Sequence, residues 1–425
     1  MTSKERITDT YITDNEKGIL RELGEQVAAI ATAPINHSRR ELWKRLNSLE
    51  KVKPLICIYE IPWHEMNVNG ELDLKTSHPT CRQIEWSLRE TMYRWKHLQG
   101  DMVVEPVIYS PLAIASTGFG IHENVDVVKT DDHSDVVSRH FNIQIQNEDD
   151  IEKIKMPVVT HDEKKSAETL GMLRDIFDGV VPVRRGGIKS CVFNAWDELV
   201  RWTGIQEVLM DLAIRPDYVH KLIGRLTDAY LCGLEQYERL HLLSSNNDNS
   251  YSTTGGYGYT NELPSVETDQ KELRLASLWG RSMSQIFSEV SPAMHDEFAL
   301  QYEMKWLKRF GLTYYGCCEP LHKKVDILKK IPNLRKISMS PWINIEEAVA
   351  NVGTSYVFSL KPNPALLAED TWHPENVRAE LRTKLSKASN CVVEVVLKDI
   401  STVRHEPRRL WEWAKIASEV TAEFA

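Results

Sequence analysis

The sequence has no long hydrophobic run and no excess of basic residues. No segment of its 425 residues approaches the roughly 18 consecutive apolar residues of a membrane span, and no apolar segment follows the charged residues 4–6 as a signal peptide requires. The formal net charge of −9 argues against a nucleic-acid-binding surface. Seven cysteines, an uneven number in a chain without export signals, favour free thiols over disulfides. We therefore expect a cytoplasmic protein that binds neither membranes nor nucleic acid.

One segment, residues 312–342, has the pattern of a strand, a polar loop, a helix and a second strand. Residues 312–316 are short and apolar, which predicts a buried strand, and Pro320 stops that strand from continuing with normal ladder hydrogen bonds. Residues 322–331 carry apolar side chains at helical spacing, and residues 334–338 have the length and composition of the next strand. Repeated around a closed parallel sheet, such units form a (β/α)8 TIM barrel, whose active sites are built from the loops that follow the strands.

The same alternation extends over most of the chain. Residues 14–31 and a helix opened by a capping box at Ser38 predict a helical extension, residues 1–52, ahead of a barrel that spans 53–425. An acidic, loop-like insertion with a short hairpin interrupts the barrel at about 110–162. Further strands are predicted at residues 55–59, 102–109, 180–184, 278–290, 355–360 and 391–397.

Polar residues follow nearly every predicted strand, as a strand-end active site requires. Residues 251–259 combine glycines with Tyr257 and Tyr259, which favours a mobile lid or substrate wall. Further candidates for substrate binding are Glu60, Trp63, His64, Asn246, Trp342 and Asn363. The candidates for catalysis are Glu319, Tyr259, Lys361 and Asp399.

Two adjacent cysteines and a glutamate, Cys317, Cys318 and Glu319, stand where the strand at 312–316 ends. A single cysteine is more often a small buried residue than a functional one. In an extended segment, however, Cys317 and Glu319 point to the same side. A thiolate and a carboxylate aimed at one space form part of a zinc site, for which Glu303 is a further candidate ligand. The alternative role for Glu319 is that of a general acid.

Several motifs resemble the uroporphyrinogen decarboxylase superfamily, and most of all its corrinoid-dependent methyltransferases of the O-demethylase type. They are residues 291–298, with Ser291, Pro292, Glu297 and Phe298, and the Tyr-Gly-Cys-Cys-Glu strand end; the resemblance is best over about 190–415. True decarboxylases have an arginine-containing motif after the first strand, where this chain has Glu-Ile-Pro-Trp-His-Glu at 60–65. Decarboxylation of a tetrapyrrole is therefore set aside. The zinc-binding pattern of the methyltransferases corresponds most nearly to Glu303, Glu319 and then Ser340.

The resemblance implies a (β/α)8 enzyme that removes a methyl group from a small methylated substrate, an aryl methyl ether in the first place. The methyl group would pass to the cobalt of a corrinoid carried by a separate partner protein, with zinc as the metal if one is bound. Two alternatives stay open: a lyase or decarboxylase acting on a small acidic substrate held by Lys361 and Arg185, or a methyltransferase for a methylamine or quaternary ammonium held by cation–π contacts. A homodimer and a catalytically silent docking subunit also stay open.

Overall fold

The computed structural model describes residues 11–98, 100–128, 137–252 and 254–425. It combines helices with one large sheet and several strand pairs. The helices are α1 Asp14–Ala31, α2 Pro34–Asn47, α3 Pro79–His97, α4 Glu163–Phe177, α5 Ala195–Thr203, α6 Ile205–Ile214, α7 Pro216–Arg239, α8 Pro292–His295, α9 Gln301–Leu307, α10 Val325–Leu328, α11 Ile345–Val352, α12 Ala365–Ala368, α13 Pro374–Lys387 and α14 Arg408–Ala422. None of these helices is both long and apolar enough to cross a membrane.

The strands form a seven-stranded parallel sheet and three separate pairs. They are β1 Leu55–Ile58, β2 Ile108–Pro111, β3 Ile114–Ser116, β4 Val125–Val128, β5 Ser138–Phe141, β6 Val159–His161, β7 Val183–Gly186, β8 Val192–Phe193, β9 Trp279–Ser282, β10 Leu312–Tyr315, β11 Leu334–Met339, β12 Val357–Leu360 and β13 Val392–Leu397. The large sheet has the order β1-β13-β12-β11-β10-β9-β8, and β2 pairs in parallel with β7. This is a mixed α/β fold with a parallel central sheet. Within the described residues the hydrogen-bonded ladder does not close, so the closed eight-stranded barrel stays a prediction.

Most predicted elements are present, with corrections to their bounds. The strand predicted at 278–290 ends at Ser282, the last residue of β9, and Gln285–Phe287 form a short 3-10 helix instead. Helix α1 has the predicted bounds, but α2 begins at Pro34 rather than after Ser38, because a proline in the first helical turn already provides a start. The strand predicted at 102–109 is shorter and later, as β2 begins at Ile108. In the insertion, β4 pairs antiparallel with β5 and β3 with β6, while residues 129–136 lie outside the described part of the chain.

The two faces of the large sheet bury different partners. Along β13, Val393, Val395 and Leu397 pack in the main cluster with the helices, whereas Val392 and Val396 belong to a second cluster on the inner face of the sheet. Between those two valines the inner face carries Glu394, fully buried, whose carboxylate accepts a 2.7 Å hydrogen bond from the ammonium of Lys336. This alternation decides which residues beyond each strand reach the same space.

The glycine-rich segment at 251–259 packs against this inner face. Tyr257 and Tyr259 are buried, and the ring of Tyr257 makes an edge contact with Trp43 of α2 at 5.3 Å. A Cβ atom on Gly256 would lie 2.3 Å from the Trp43 ring, so this close approach requires glycine. The two tyrosines therefore supply apolar surface to the core instead of forming the predicted mobile lid or substrate wall.

Candidate functional site

A cavity of about 300 Å³ opens at the carboxyl ends of β10, β11, β12 and β13. Four adjacent parallel strands thus contribute to one space, as the rule for strand-end sites predicts. Its walls combine thiols, charged groups and apolar residues: Cys317, Cys318, Pro341, Trp342, Lys361, Pro362, Asn363, Pro364, Ala365, Ala368, Lys398, Asp399 and Ser401. Another cavity, of about 210 Å³ between the insertion and α7, is lined by no charged side chain, so the candidate chemistry lies at the strand ends.

Lys398 lies at the centre of the charged groups in this cavity. It continues the inner face of β13, on which Glu394 and Val396 precede it, and its side chain is only 3% exposed. The Nζ atom is 2.5 Å from Asp399 Oδ2 and 3.3 Å from Glu60 Oε2. It also lies 3.6 Å from the sulfur of Cys317 and 3.5 Å from that of Cys318. We call Lys398, Cys317, Cys318, Asp399 and Glu60 the strand-end cluster.

The two thiols of this cluster differ in acidity. Their Sγ atoms are 3.5 Å apart. A hydrogen bond from Cys318, and then the ammonium of Lys398, lower the pKa of Cys317 to about 7 against the opposing effect of burial. The same pairing raises the pKa of Cys318, and Asp399 Oδ2, 3.2 Å from the Cys318 sulfur, is the alternative acceptor for its one thiol hydrogen. Elsewhere burial alone raises the pKa of Cys391 to about 11. Cys317 is therefore the thiolate of the pair near neutral pH.

The two carboxylate residues of the cluster, Glu60 and Asp399, have left-handed backbone conformations. Glu60 and Asp399 have φ values of 52° and 57°, in the left-handed region that residues other than glycine rarely adopt. The amide of Asp399 donates to Glu60 Oε2 at 3.0 Å, so the two strained residues hold each other. Burial raises the pKa of Glu60. Burial also acts to raise the pKa of Asp399, but the charge of Lys398 and the hydrogen bonds from its neighbours together lower it. Strained backbone of this kind is concentrated at functional sites.

Burial favours the neutral form of Lys398, but the two cysteines and then the two carboxylates outweigh it and raise the pKa of this lysine well above its ordinary value. Lys398 therefore stays an ammonium at neutral pH. It is a fixed cation and hydrogen-bond donor rather than an acid that readily gives up its proton.

A second group of ionisable residues lies on the other face of the sheet, with no access to the cavity. Glu303 of α9 is 1% exposed and accepts hydrogen bonds from Ser282 and Ser284 at 2.8 Å and from Tyr315 at 2.7 Å. The Tyr315 hydroxyl also lies 2.6 Å from Nε2 of His295, next to the π-helical turn Asp296–Leu300. Burial raises the pKa of Glu303 to about 7 and lowers that of His295 to about 3. We call Glu303, Tyr315, His295, Ser282 and Ser284 the buried cluster.

Glu319 lies between the two clusters and does not line the cavity. It is 1% exposed, and its carboxylate accepts from the amides of Cys317 at 2.8 Å and Ser284 at 3.4 Å. The expectation that it points to the same side as Cys317 is wrong, because β10 ends at Tyr315 and Gly316, with φ of 95°, turns the chain before the alternation reaches residue 319. The hydrogen bonds of Glu319 therefore stabilise the loop that carries Cys317.

The three predicted metal ligands do not fit a zinc ion. Both carboxylate oxygens of Glu303 accept hydrogen bonds from hydroxyl groups, and those of Glu319 accept from backbone amides. Cys317 faces the ammonium of Lys398. Among the residues described, no three His, Cys, Asp or Glu side chains are grouped closely enough to hold a metal.

The remaining predicted site residues are divided between the cavity and other places. Trp342, Asn363, Lys361 and Asp399 line the cavity, although the Lys361 ammonium is directed to Tyr314 at 2.8 Å and Ser359 at 3.2 Å. Five others do not line this cavity, and each has a contact of its own in the fold. They are Tyr257 on Trp43, Tyr259 bonded to Glu105, Asn246 bonded to the backbone of Trp279, Trp63 packed on Trp86 and His64 beside Glu65.

Lys398 and Cys318 were not among the candidate site residues. The alternation of β13 could have found Lys398, since residues 392, 394, 396 and 398 share one face of an extended chain. Cys318 could not be found in this way, because the turn at Gly316 decides where its thiol points.

Comparisons with known proteins add little to this geometry. No protein-family model matches the chain, and no curated protein matches it. Among solved structures it is similar to a methyltransferase from Methanosarcina mazei, with 11% sequence identity and a TM-score of 0.47 over 91% of this chain and 98% of that one. A similarity this distant carries no argument about function.

Proposed function

We propose that this protein is a methyltransferase that removes the methyl group of a small aryl methyl ether and passes it to the cobalt of a corrinoid carried by a separate protein. The observation that carries the proposal is the buried ammonium of Lys398, which lines a cavity with apolar walls at the strand ends. The motifs that resemble the corrinoid-dependent methyltransferases support it, in particular the strand end at Cys317.

An aryl oxide is a poor leaving group unless the negative charge that develops on its oxygen is stabilised. The reduced cobalt of the corrinoid supplies the nucleophile. Lys398 supplies a fixed positive charge on a side chain that is itself only 3% exposed, and a buried donor of this kind stabilises a developing oxyanion more than it would in bulk solvent. Asp399 and Glu60 hold the ammonium in place, so it does not need to reorganise as the methyl group leaves.

The other walls of the cavity suit the ring of such a substrate. Pro341, Pro362 and Pro364 give rigid apolar surface, and Trp342 adds a large aromatic face beside them. The Trp342 side chain is 69% exposed, so it lies at the opening, where a bound ring would cover it.

The structure does not favour a small acidic substrate held by two cations. Arg185 bonds Glu163 and does not line the cavity, and the Lys361 ammonium is turned toward Tyr314. A methylated ammonium is the second candidate, since the carboxylates of Asp399 and Glu60 together with Trp342 can hold a cation.

The test is methyl transfer to reduced cobalamin or to a corrinoid protein, followed by the absorbance change of the cobalt, across methoxylated aromatics and methylated ammonium compounds. We expect turnover of an aryl methyl ether, and a roughly 10²-fold lower kcat for Lys398→Met, as for the loss of one oxyanion donor. Lys323→Met is the matched control, because it removes one lysine charge from an exposed position that does not line the cavity.

Three outcomes separate the possibilities. Near-normal ether turnover by Lys398→Met would remove Lys398 from the mechanism. Turnover of methylated ammonium compounds alone, undiminished in this variant, would replace the ether with the second candidate. A protein that methylates cobalt with no compound of either class is not the methyltransferase proposed.

A further inference from the structure

We propose that Cys317 and Cys318 form a thiol–disulfide exchange site, at which small disulfides that enter the strand-end cavity convert the adjacent thiols into a reversible vicinal disulfide. The proposal rests on the arrangement of the two sulfurs, Lys398 and Asp399, and not on the proposed methyl transfer.

The sulfur atoms are already close and share an accessible space. They lie 3.5 Å apart, and both residues line the cavity. Bond formation at about 2.0 Å needs a movement of roughly 1.5 Å. Residues 317–319 belong to neither a helix nor a strand, so no ladder of backbone hydrogen bonds opposes this movement.

The neighbouring charges distinguish the two thiols in the way that exchange requires. The Lys398 ammonium, within 3.6 Å of both sulfurs, stabilises the thiolate of the residue that attacks first, Cys317. Asp399 Oδ2 lies 3.2 Å from the Cys318 sulfur and can accept its thiol hydrogen once Cys317 is engaged in the mixed disulfide, so a path for that proton to the solvent is in place. All seven cysteines are unbridged, and Cys317 and Cys318 are the two that are adjacent in the sequence.

The exchange balances in two steps. The Cys317 thiolate attacks one sulfur of a small disulfide, a mixed disulfide forms and one small thiolate leaves. Cys318 then loses its proton through Asp399 and attacks the Cys317 sulfur, which forms the protein disulfide and releases the second small thiolate. The two cysteines lose two electrons, and the small disulfide is reduced to two thiols.

A disulfide between neighbouring residues is easily reversed. Neighbouring Cα atoms are about 3.8 Å apart across a trans peptide, below the usual separation in disulfides. Such a strained bridge is at the labile end of the range, where regulatory disulfides are found.

The experiment treats the full-length protein with oxidised glutathione and alkylates the remaining thiols after denaturation. In the wild type we expect all but two of the seven cysteines to be alkylated. The tryptic peptide 310–323, which contains Cys317 and Cys318 as its two cysteines, should lack two hydrogen atoms and carry no glutathione. Dithiothreitol should restore both thiols.

Three variants sharpen the result. Cys318→Ser should keep a stable glutathione adduct on Cys317, because no thiol resolves it. Lys398→Met should slow the reaction roughly threefold, since the loss of thiolate is partly offset by the greater nucleophilicity of a more basic sulfur. Cys232→Ser, which removes another incompletely buried cysteine, should change nothing in peptide 310–323.

A wild-type protein that retains glutathione on this peptide, or that reacts at Cys232 while Cys317 and Cys318 stay reduced, would overturn the proposal. Because these readouts are thiol counts and peptide masses, they stand whether or not the protein transfers methyl groups.

Discussion

The strand-end cluster and the buried cluster lie on opposite faces of the same sheet, and both surround the loop that follows β10. The first gathers opposite charges around Lys398 and faces a cavity. The second holds one carboxyl group, Glu303, among neutral hydroxyls and a neutral histidine, without access to the cavity. Ionisable side chains near a strand end are thus not all part of one site: the face of the sheet decides which of them a ligand can reach.

Two neighbouring tyrosines show how the sheet separates these clusters. Tyr314 points to the inner face, where its hydroxyl lies 2.8 Å from Lys361 Nζ. Tyr315, the next residue, points to the other face and bonds Glu303 and His295. A substitution in the strand-end cluster should therefore alter catalysis, and a substitution in the buried cluster should alter the free energy of unfolding.

The largest expected effect is on catalysis, from Asp399→Asn. Asp399 holds the Lys398 ammonium at 2.5 Å, and a donor misplaced by about 1 Å can cost roughly 10²-fold in kcat. The Asp399 side chain is half exposed, so the free energy of unfolding should change by less than about 1 kcal/mol. Methyl-transfer kinetics and urea denaturation of the same preparation measure both. A large loss of stability with normal kcat would reverse the roles of the two clusters.

The next effect concerns the pH dependence of stability, which should depend on Glu303. Its folded pKa of about 7 exceeds the ordinary 4.5, so between these values the folded protein binds a proton that the unfolded chain releases. The free energy of unfolding should therefore fall as pH rises through this window, by on the order of 3 kcal/mol, and level off above it.

Glu303→Gln removes this contribution and keeps an acceptor oxygen for the two serines. The Tyr315 hydroxyl, which donates to Glu303 in the wild type, must accept from the glutamine amide instead. The free energy of unfolding of the variant and of the wild type is measured by urea denaturation at pH 5 and pH 8. At pH 8 the variant should be the more stable of the two. If the free energy of unfolding changes equally in both proteins between pH 5 and pH 8, Glu303 is ionised in the folded state at neutral pH.

Sequence alone predicted the α/β class, helix α1 and the polar residues that follow the strands, but it did not predict which of those residues share the cavity. Short buried strands such as β10 and β13 are recognisable because they are continuously apolar and end in polar residues. Glu319 and Cys317 were predicted to converge because alternation was extended four residues beyond Tyr315, the end of the strand, and past the turn at Gly316. Tyr257 and Tyr259 were predicted in a lid or substrate wall because glycines and hydroxyl groups are typical of mobile loops. Tertiary packing buries the loop that carries them.

A smaller effect is expected for Glu319→Gln, although the sequence placed Glu319 among the candidates for catalysis. The amide oxygen of glutamine can keep one of the two backbone contacts, at Cys317 or Ser284. We expect the free energy of unfolding to fall by about 1–2 kcal/mol and kcat to fall less than tenfold, since Glu319 positions the loop and does not line the cavity. A 10²-fold loss of kcat at unchanged stability would return Glu319 to the catalytic group.

The smallest effect is a shift in the alkylation profile of Cys317. The rate of iodoacetamide modification of peptide 310–323, measured by mass spectrometry in a Cys318→Ala background, should rise around a higher pH than in the wild type, where the pKa is about 7. Lys398→Met should also raise the midpoint, but by less, because the hydrogen bond from Cys318 contributes more than the ammonium does. Cys391, whose pKa burial raises to about 11, provides the contrast within the same sample. A wild-type midpoint near the ordinary 9.0 would mean that the strand-end cluster does not stabilise a thiolate, and the distinction between the two faces would then rest on access alone.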